Sequence, residues 1–396
     1  MALLIILPLP IYFYFSALYG PVDSCKGRCN EKYNKEDVCH CDDNCKQNQN
    51  CCEDYHIHCR TEIISTMFSQ YAYLNNGCQT GFLEGLDQHF SSPSRATGEG
   101  GRQDGSKIII FPTEGFSYRD NTITDEELQE ASEKIYHSDH NRAEESDIVL
   151  NKQYFTSKTN GQEDNSPDKL FSYVNHEKLF SRPTYASFIK LLDNYNARVG
   201  TEEKFTKEQM KEQDIFLQEI MKTEVMKELY TFLHSKNRYD TEAEFVDDLK
   251  KMWFGLYSRD KNEDDDSSGF EHVFLGEIKK EKVSGFHNWI RFYLLEKQGI
   301  VNYFSHSYDG PWTSYPDVLG MQFNFDGFYK QVGSTFIGSS PEFEFGLYSL
   351  CFIARPGKVC HLKIGGHNLD IQTYTWDKST YGNGKKYIAT AYVATS

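Results

Sequence analysis

Apolar and polar positions follow two different periods along the chain, and the period changes near Gly269. Between residues 206 and 233, apolar side chains recur every three or four positions, which is the spacing of one helix face. Beyond Gly269, alternation and turn signals such as Asp326-Gly327 dominate. Helices followed by strands predict an α+β fold, with a helical N-terminal half and an antiparallel β-rich C-terminal half.

Two threonines mark predicted helix starts. Thr124 and Thr241 are each followed three residues later by a glutamate, Glu127 and Glu244. In this spacing the threonine caps the first turn while the glutamate reaches back to the cap. We therefore expect one helix to begin at each threonine and another to run from residue 206 to about 233.

Near the end of the chain, Pro356 and Gly357 predict a hairpin turn. When residues are counted outward from that turn, Cys351 faces Leu362 and not Cys360. The count therefore predicts that these two cysteines are free core residues.

Two histidines lie in aromatic surroundings that predict different local structures. In the first, Phe270, His272 and Phe274 would share one face of a strand. In the second, Ser284 would cap a helix and place His287 in its first turn, where the helix dipole lowers the pKa of an imidazole. A histidine beside aromatic side chains is more often a packing residue, so this pattern alone does not make either one catalytic.

Cysteine is concentrated near the N-terminus, where eight fall within 35 residues: Cys25, Cys29, Cys39, Cys41, Cys45, Cys51, Cys52 and Cys59. An even set in a segment with few apolar side chains predicts a disulfide framework that replaces a core. Spacing alone does not choose the pairing. Zinc is disfavoured because paired C-x-x-C spacings are missing. Cys78 has no partner when the cysteines are counted, so it is predicted to be a reactive thiol or to form a disulfide with another chain.

Residues 1–20 are apolar and contain neither an acidic nor a basic side chain. Because the run is short and carries Pro8 and Pro10, it predicts a cleaved signal peptide and a secreted protein. An uncleaved anchor is the alternative. No other stretch is long and apolar enough to span a bilayer.

The formal net charge of -16 argues against a protein that binds nucleic acid through a broad electrostatic field. An acidic chain can act on RNA only through a local group of cations, a metal ion, or both. The acidic run at residues 263–266 lacks the spacing of a calcium loop and is interpreted as a solvated loop.

His272, His287 and Lys330 together meet the needs of phosphodiester cleavage in RNA. The reaction requires a base for the 2′-hydroxyl, an acid for the departing 5′-oxygen and a cation for the charge on phosphorus. Lys330 lies in an aromatic strand, where a lysine that faces the interior is costly. A surface lysine remains the alternative.

Several separate motifs resemble the EndoU-type poly(U)-specific endoribonucleases over residues 120–396. They are the segments 146–151, 269–289, 326–334, 339–344 and 387–392. The cysteine order, with Arg28, Asp54 and Tyr55, closely resembles a somatomedin B domain, which implies four disulfides and a protein-binding role. This domain before the nuclease is the family's secreted arrangement.

The resemblance implies that His287 is the base and His272 the acid, or the reverse, and that Lys330 stabilises the transition state. It implies contacts of Ser334, Thr390 and Tyr392 with the uridine and ribose of single-stranded U-rich RNA. The products would be a 2′,3′-cyclic phosphate and a 5′-hydroxyl end.

The resemblance also implies a divalent metal, manganese or calcium, with Glu271 and Glu277 as candidate ligands. Carboxylates suit such ions. A structural role for both glutamates is equally open.

The predicted organisation is a signal peptide at 1–20, a somatomedin B-like domain at 21–62, an unassigned linker at 63–119 and the endoribonuclease domain at 120–396. We expect a monomer whose N-terminal module binds a protein that the residues do not identify. The alternative function is a secreted adhesion or regulatory protein with an inactive nuclease scaffold. A protease is disfavoured because no G-x-S-x-G or H-E-x-x-H motif occurs.

Overall fold

The computed structural model describes residues 122–259 and 265–395, together with residues 25–55 except 26, 27, 29, 30, 36, 38, 43, 49, 53 and 54. The chain divides into two units, residues 1–104 and 105–396. The predicted signal peptide, Cys29, Cys59 and Cys78 lie outside the described residues.

The N-terminal unit is held together by disulfides. Cys25 pairs with Cys41, Cys39 with Cys52, and Cys45 with Cys51. The short helix α1, Cys45–Asn48, lies among them. The predicted disulfide framework is confirmed for these six cysteines. Their sulfurs are covalently paired, so they are not available as zinc ligands.

The large unit contains these helices: α2 Asp125–Ser138, α3 His176–Phe180, α4 Pro183–Leu191, α5 Lys207–Met221, α6 Glu224–Ser235, α7 Glu242–Phe254, α8 Trp289–Lys297 and α9 Pro341–Ala354. Its strands are β1 Ile148–Leu150, β2 Phe171–Val174, β3 Leu256–Tyr257, β4 Ser267–Ser268, β5 Glu277–Lys279, β6 Lys282–Ser284, β7 Val301–Asp309, β8 Asp317–Phe325, β9 Phe328–Ile337, β10 Val359–Ile364, β11 His367–Tyr381 and β12 Lys385–Val393.

The helix starts follow the predicted caps. Thr124 accepts a hydrogen bond from the Glu127 backbone N–H while the Glu127 side chain returns to Thr124, which completes a capping box. Thr241 caps α7, but the Glu244 carboxylate accepts from the backbone of residue 240 and leaves the box open. The single helix expected over 206–233 is divided, because Thr223 caps a new helix, α6.

The later half of the unit is built on two antiparallel sheets. One has the strand order β7-β8-β9 and the other β10-β11-β12. Every residue of α9 is buried, and this helix packs against α2, α4, α6 and strands of the second sheet. The predicted α+β fold is confirmed.

The expectation of a hairpin around Pro356-Gly357 with free cysteines was wrong. Cys351 belongs to α9 and Cys360 to β10, and the two form a disulfide with Cα atoms 5.5 Å apart. The strand register used in the count does not apply, because the chain before the turn is helical.

A helix that crosses a bilayer must be both long and apolar. In the parts of the chain that the structure describes, no helix meets both conditions.

Candidate active site

His272 lies on a helical turn and not on the expected strand. Residues Glu271–Leu275 form a π-helical turn in which every residue is buried. Phe270 and Phe274, four positions apart, pack on each other with ring centroids 5.1 Å apart. Apolar residues at this spacing satisfy a helix as well as a strand, but rings four positions apart on a strand would be separated by about 13 Å, so their contact is possible only on a helical turn.

His287 lies immediately before α8 and not inside its first turn. The residue that caps the helix is Asn288, whose side chain accepts a hydrogen bond from the Arg291 backbone at 2.9 Å. Asn288 also donates to Glu344 at 3.1 Å. Ser284, the expected cap, ends β6 instead. The helix dipole is therefore not the main influence on His287.

The main chain holds the two histidines side by side. The Phe286 N–H donates to the His272 carbonyl at 3.0 Å, and the His287 N–H donates to the Val273 carbonyl at 2.7 Å. Gly285 has a φ of 67°, and a Cβ placed on it would lie 1.7 Å from the His272 carbonyl oxygen. This approach is possible only for glycine.

A carboxylate and a guanidinium support the ring of His272. Its Nδ1 is hydrogen-bonded to Glu277, and the Arg259 Nε lies 3.3 Å from the same carboxylate oxygen. Arg259 is itself held by hydrogen bonds to Ser267 at 2.8 Å and Tyr257 at 2.7 Å. Donation from Nδ1 to the carboxylate fixes the tautomer and leaves Nε2 for other chemistry.

His287 is oriented by a backbone carbonyl. Its Nδ1 donates to the Ser334 carbonyl at 2.8 Å, and its ring stacks on Tyr392 with centroids 5.3 Å apart. The Ser334 hydroxyl donates to the Val393 carbonyl at 2.6 Å, and this side chain is buried. Ser334 thus positions β9, His287 and β12 relative to one another.

Lys330, on β9, is the third of the predicted catalytic residues. Burial lowers its pKa to about 8. Burial and the nearby Arg259 lower the pKa of His272 to about 4, with a smaller contribution from Lys330. Burial, then the charge of Lys330, lowers the pKa of His287 well below its usual value. The structure therefore brings the three predicted catalytic side chains into one electrostatic group.

The two remaining residues predicted to contact substrate lie on β12. Thr390 and Tyr392 are two positions apart on this strand, so they face the same side, and both are half-buried. Tyr392 is the one that contacts His287. Their predicted contacts with a uridine and its ribose stay predictions.

The carboxylates predicted to bind a metal differ in their surroundings. Both oxygens of Glu271 and Oε1 of Glu277 are buried without a hydrogen-bond partner, whereas Oε2 of Glu277 contacts His272 and Arg259. In the described parts of the chain, three possible ligand atoms come within 4.8 Å of one another only at the disulfide sulfurs of the small unit. The unpartnered oxygens of Glu271 and Glu277 are available as ligands, but among the described residues they do not form a compact three-ligand site in this arrangement, and the predicted manganese or calcium ion stays a prediction.

Sequence reasoning missed Arg259 and Glu203. Glu203 is buried, accepts from the Asn196 backbone at 2.8 Å, and its pKa is raised to about 7 by burial. Burial, followed by the charges of Glu277 and Glu203, raises the pKa of Glu271. Neither Arg259 nor Glu203 has a characteristic spacing from the histidines, so no local signal could have found them.

The chain is similar to known proteins over both units. The family model described as "Endoribonuclease XendoU" matches residues 127–393, and the "Somatomedin B domain" model matches residues 23–62. A uridylate-specific endoribonuclease of Bos taurus is 58% identical over 395 residues, and one of Homo sapiens is 56% identical over 396. Each alignment covers 95% of both chains.

A solved structure is similar to the large unit. It is described as XendoU, a splicing-independent snoRNA-processing endoribonuclease, and is 36% identical with a TM-score of 0.56. The match covers 68% of this chain and 97% of the other.

Proposed function

Because the chain belongs to the endoribonuclease XendoU family and carries a somatomedin B domain, we propose that it cleaves single-stranded RNA at uridylates by attack of the ribose 2′-hydroxyl. The observation that carries the proposal is the backbone pairing of the His272 and His287 segments, with the charge of Lys330 close enough to lower the pKa of both imidazoles. The names of the relatives in Bos taurus and Homo sapiens support uridylate as the preferred nucleotide.

In the first part of the reaction, His287 acts as the base. Its Nδ1 is engaged by the Ser334 carbonyl, so Nε2 carries the lone pair. The lowered pKa keeps this ring neutral near pH 7. Nε2 accepts the proton of the 2′-hydroxyl while the 2′-oxygen forms a bond to phosphorus.

In the second part, His272 acts as the acid. The Glu277 carboxylate stabilises an imidazolium at this position more than at His287, which has no carboxylate partner among the described residues. Protonated Nε2 gives its proton to the 5′-oxygen as the phosphorus–oxygen bond breaks. The products are a 2′,3′-cyclic phosphate and a 5′-hydroxyl end.

Lys330 supports the charge that develops on the phosphate oxygens. A preorganised ammonium in a site with little water acts more strongly than the same group in solvent. Its pKa of about 8 keeps it largely protonated at neutral pH. Tyr392 supplies an aromatic face beside His287, and Thr390 supplies a hydroxyl on the same side of β12; these groups suit a base and its ribose.

The proposal extends to the setting in which the enzyme acts. Cysteine pairing in the small unit supports an oxidising, secreted location. We propose that this unit binds a protein partner, as the somatomedin B resemblance implies, and that the enzyme acts as a monomer.

The test is cleavage of a defined oligonucleotide containing one uridylate, with analysis of the product ends and parallel reactions in manganese and calcium. His272→Ala, His287→Ala and Lys330→Ala should each abolish the cyclic-phosphate product while circular dichroism shows intact folding. Lack of cleavage by the wild type under all ionic conditions would instead favour an inactive scaffold that acts through its N-terminal unit.

A further inference from the structure

A surface groove lies at the C-terminal end of α8, the helix that begins two residues after His287. The groove has a volume of about 320 Å³. Its walls come from β2, α3 and α8, and the residues important for its chemistry are Lys169, Tyr173, His176, Tyr293, Glu296 and Lys297. None of these belongs to the catalytic group described above.

The exposed charges of the groove are positive. Lys169 and Lys297 are both exposed at its rim. Glu296 is buried, and its two oxygens accept backbone hydrogen bonds from Leu170 at 2.7 Å and Phe171 at 3.0 Å. The carboxylate is therefore satisfied within the protein. In a chain of net charge -16, a rim with two ammonium groups favours an anionic ligand.

The groove also presents an aromatic surface. Tyr173 is 50% exposed, although it is a large side chain on a strand. The Tyr293 hydroxyl lies 3.4 Å from His176 Nδ1 on the neighbouring wall. An exposed aromatic ring beside cations is the combination that binds single-stranded nucleic acid, because bases stack on the ring and phosphates pair with the cations.

We propose that this groove is a secondary RNA subsite, in which a base stacks on Tyr173 while Lys169 and Lys297 pair with the adjoining phosphates. The inference rests on the proposed endoribonuclease function. The nine residues of α8 span about 13 Å, the rise of about four stacked nucleotides. The subsite therefore takes a nucleotide several positions from the scissile bond. The negative end of the α8 dipole also lies at this groove and repels phosphate, so the positive charges of both lysines are needed for phosphate to bind.

The experiment compares a dinucleotide, which reaches only the catalytic group, with a twelve-nucleotide RNA that carries one uridylate. The full chain is assayed as wild type, Tyr173→Ala and the double variant Lys169→Gln/Lys297→Gln. A matched control, Lys211→Gln/Lys227→Gln, removes two exposed lysines of α5 and α6 and makes the same change in net charge.

Tyr173→Ala should lower kcat/KM for the long RNA by about fivefold or more and leave the dinucleotide unchanged. The lysine double variant should do the same, and should reduce the slope of log(kcat/KM) against log salt by about 1.4, or about 0.7 for each phosphate that no longer pairs with a lysine. The control should alter neither the length dependence nor the slope.

The outcomes separate the two proposals. If the wild type cleaves neither RNA, the proposed function fails and the subsite fails with it. If the wild type cleaves both and the groove variants treat the long RNA as the wild type does, only the subsite is overturned. Equal reductions in kcat/KM on the dinucleotide and the long RNA would also overturn it, because they would show that the groove variants disturb the catalytic group.

Discussion

Replacing Glu277 with glutamine isolates the contribution of one buried charge to catalysis. Glutamine keeps the size of the side chain and an oxygen that can accept from His272 Nδ1, but it removes the negative charge beside that ring. A hydrogen bond to a charged group contributes about 1.5–3 kcal/mol and a neutral one about 0.5–1.5 kcal/mol. The difference, about 1–2 kcal/mol, lowers kcat/KM about five- to thirty-fold.

The effect of Glu277→Gln on the protonation of His272 follows from the same contact. The Glu277 carboxylate raises the pKa of His272 against the lowering caused by burial and Arg259. Without the carboxylate the pKa of His272 falls further, so a smaller fraction carries the proton that the leaving 5′-oxygen requires. Because the pKa of His272 is about 4 in the wild type and lower in the variant, both protonated fractions fall about tenfold per pH unit above pH 5, so the fold deficit of Glu277→Gln should be constant from about pH 5 to 8. Single-turnover cleavage of a one-uridylate oligonucleotide across this range measures it.

Stability must be followed in parallel, because the substitution leaves Arg259 beside a neutral partner. Arg259 and Glu277 are 11% and 1% exposed, and breaking such a buried pair costs about 3–5 kcal/mol. The double variant Arg259→Gln/Glu277→Gln removes both charges and should recover part of the free energy of unfolding without recovering activity. Glu342→Gln, a buried carboxyl that contacts Asn141 and neither histidine, is the matched control and should cleave at the wild-type rate. A folded Glu277→Gln enzyme with wild-type kcat/KM at every pH would refute the reasoning.

Four further results are expected. Lys330, with a pKa of about 8, loses its charge as the pH rises through that value, so wild-type cleavage should decline above pH 8. Lys330→Arg should show a lower rate without this decline, because arginine stays charged. Identical rate–pH profiles for the two enzymes would contradict the assignment. Burial raises the pKa of Glu344 from 4.5 to about 8, so the folded state keeps a proton that the unfolded state loses between these values. Urea unfolding should therefore give lower stability at about pH 8 than at about pH 5, by at most about 1.4 kcal/mol per pH unit from this group, and Glu344→Gln should reduce the difference. Cys351→Ala/Cys360→Ala opens a loop of sequence separation 9 and should lower the free energy of unfolding by about 2–3 kcal/mol under oxidising conditions, and the difference should shrink when a reductant opens the bridge in the wild type. No change under oxidising conditions would show that the bridge does not form in solution. Treatment with a chelator should abolish cleavage, and manganese or calcium should restore it; full activity in the chelator would remove the predicted metal requirement.

Features that depend on a few adjacent residues could be predicted from the sequence. The caps at Thr124 and Thr241 are local hydrogen bonds, and both occur. Helix α9 was not predicted, because all fourteen of its residues are buried and it has no polar face to produce a helical period. The turn that carries His272 was taken for a strand, since two phenylalanines four positions apart satisfy both periods.

The residues of the site also divide into those that the sequence could predict and those that it could not. His272, His287 and Lys330 could be selected because the reaction requires two imidazoles and a cation, and because the surrounding motifs resemble a known family. Arg259 could not, because its contact with Glu277 is formed only when β3 and β4 bring distant segments together. The Cys351–Cys360 bridge was excluded by a count that assumed two strands where the chain has a helix and a strand.

Gly285 allows the main chain itself to hold the two catalytic histidine segments together. Because backbone hydrogen bonds from Phe286 and His287 fasten this segment to the turn at His272, the main chain sets the separation of the two histidine backbones, and the contacts with Glu277 and the Ser334 carbonyl orient their rings. The centre is thus assembled as soon as the chain has folded, with no reorganisation left for the arriving RNA to drive. Any side chain at position 285 would collide with the carbonyl and the ring edge of His272, push the two histidines apart, and so uncouple proton removal from proton delivery.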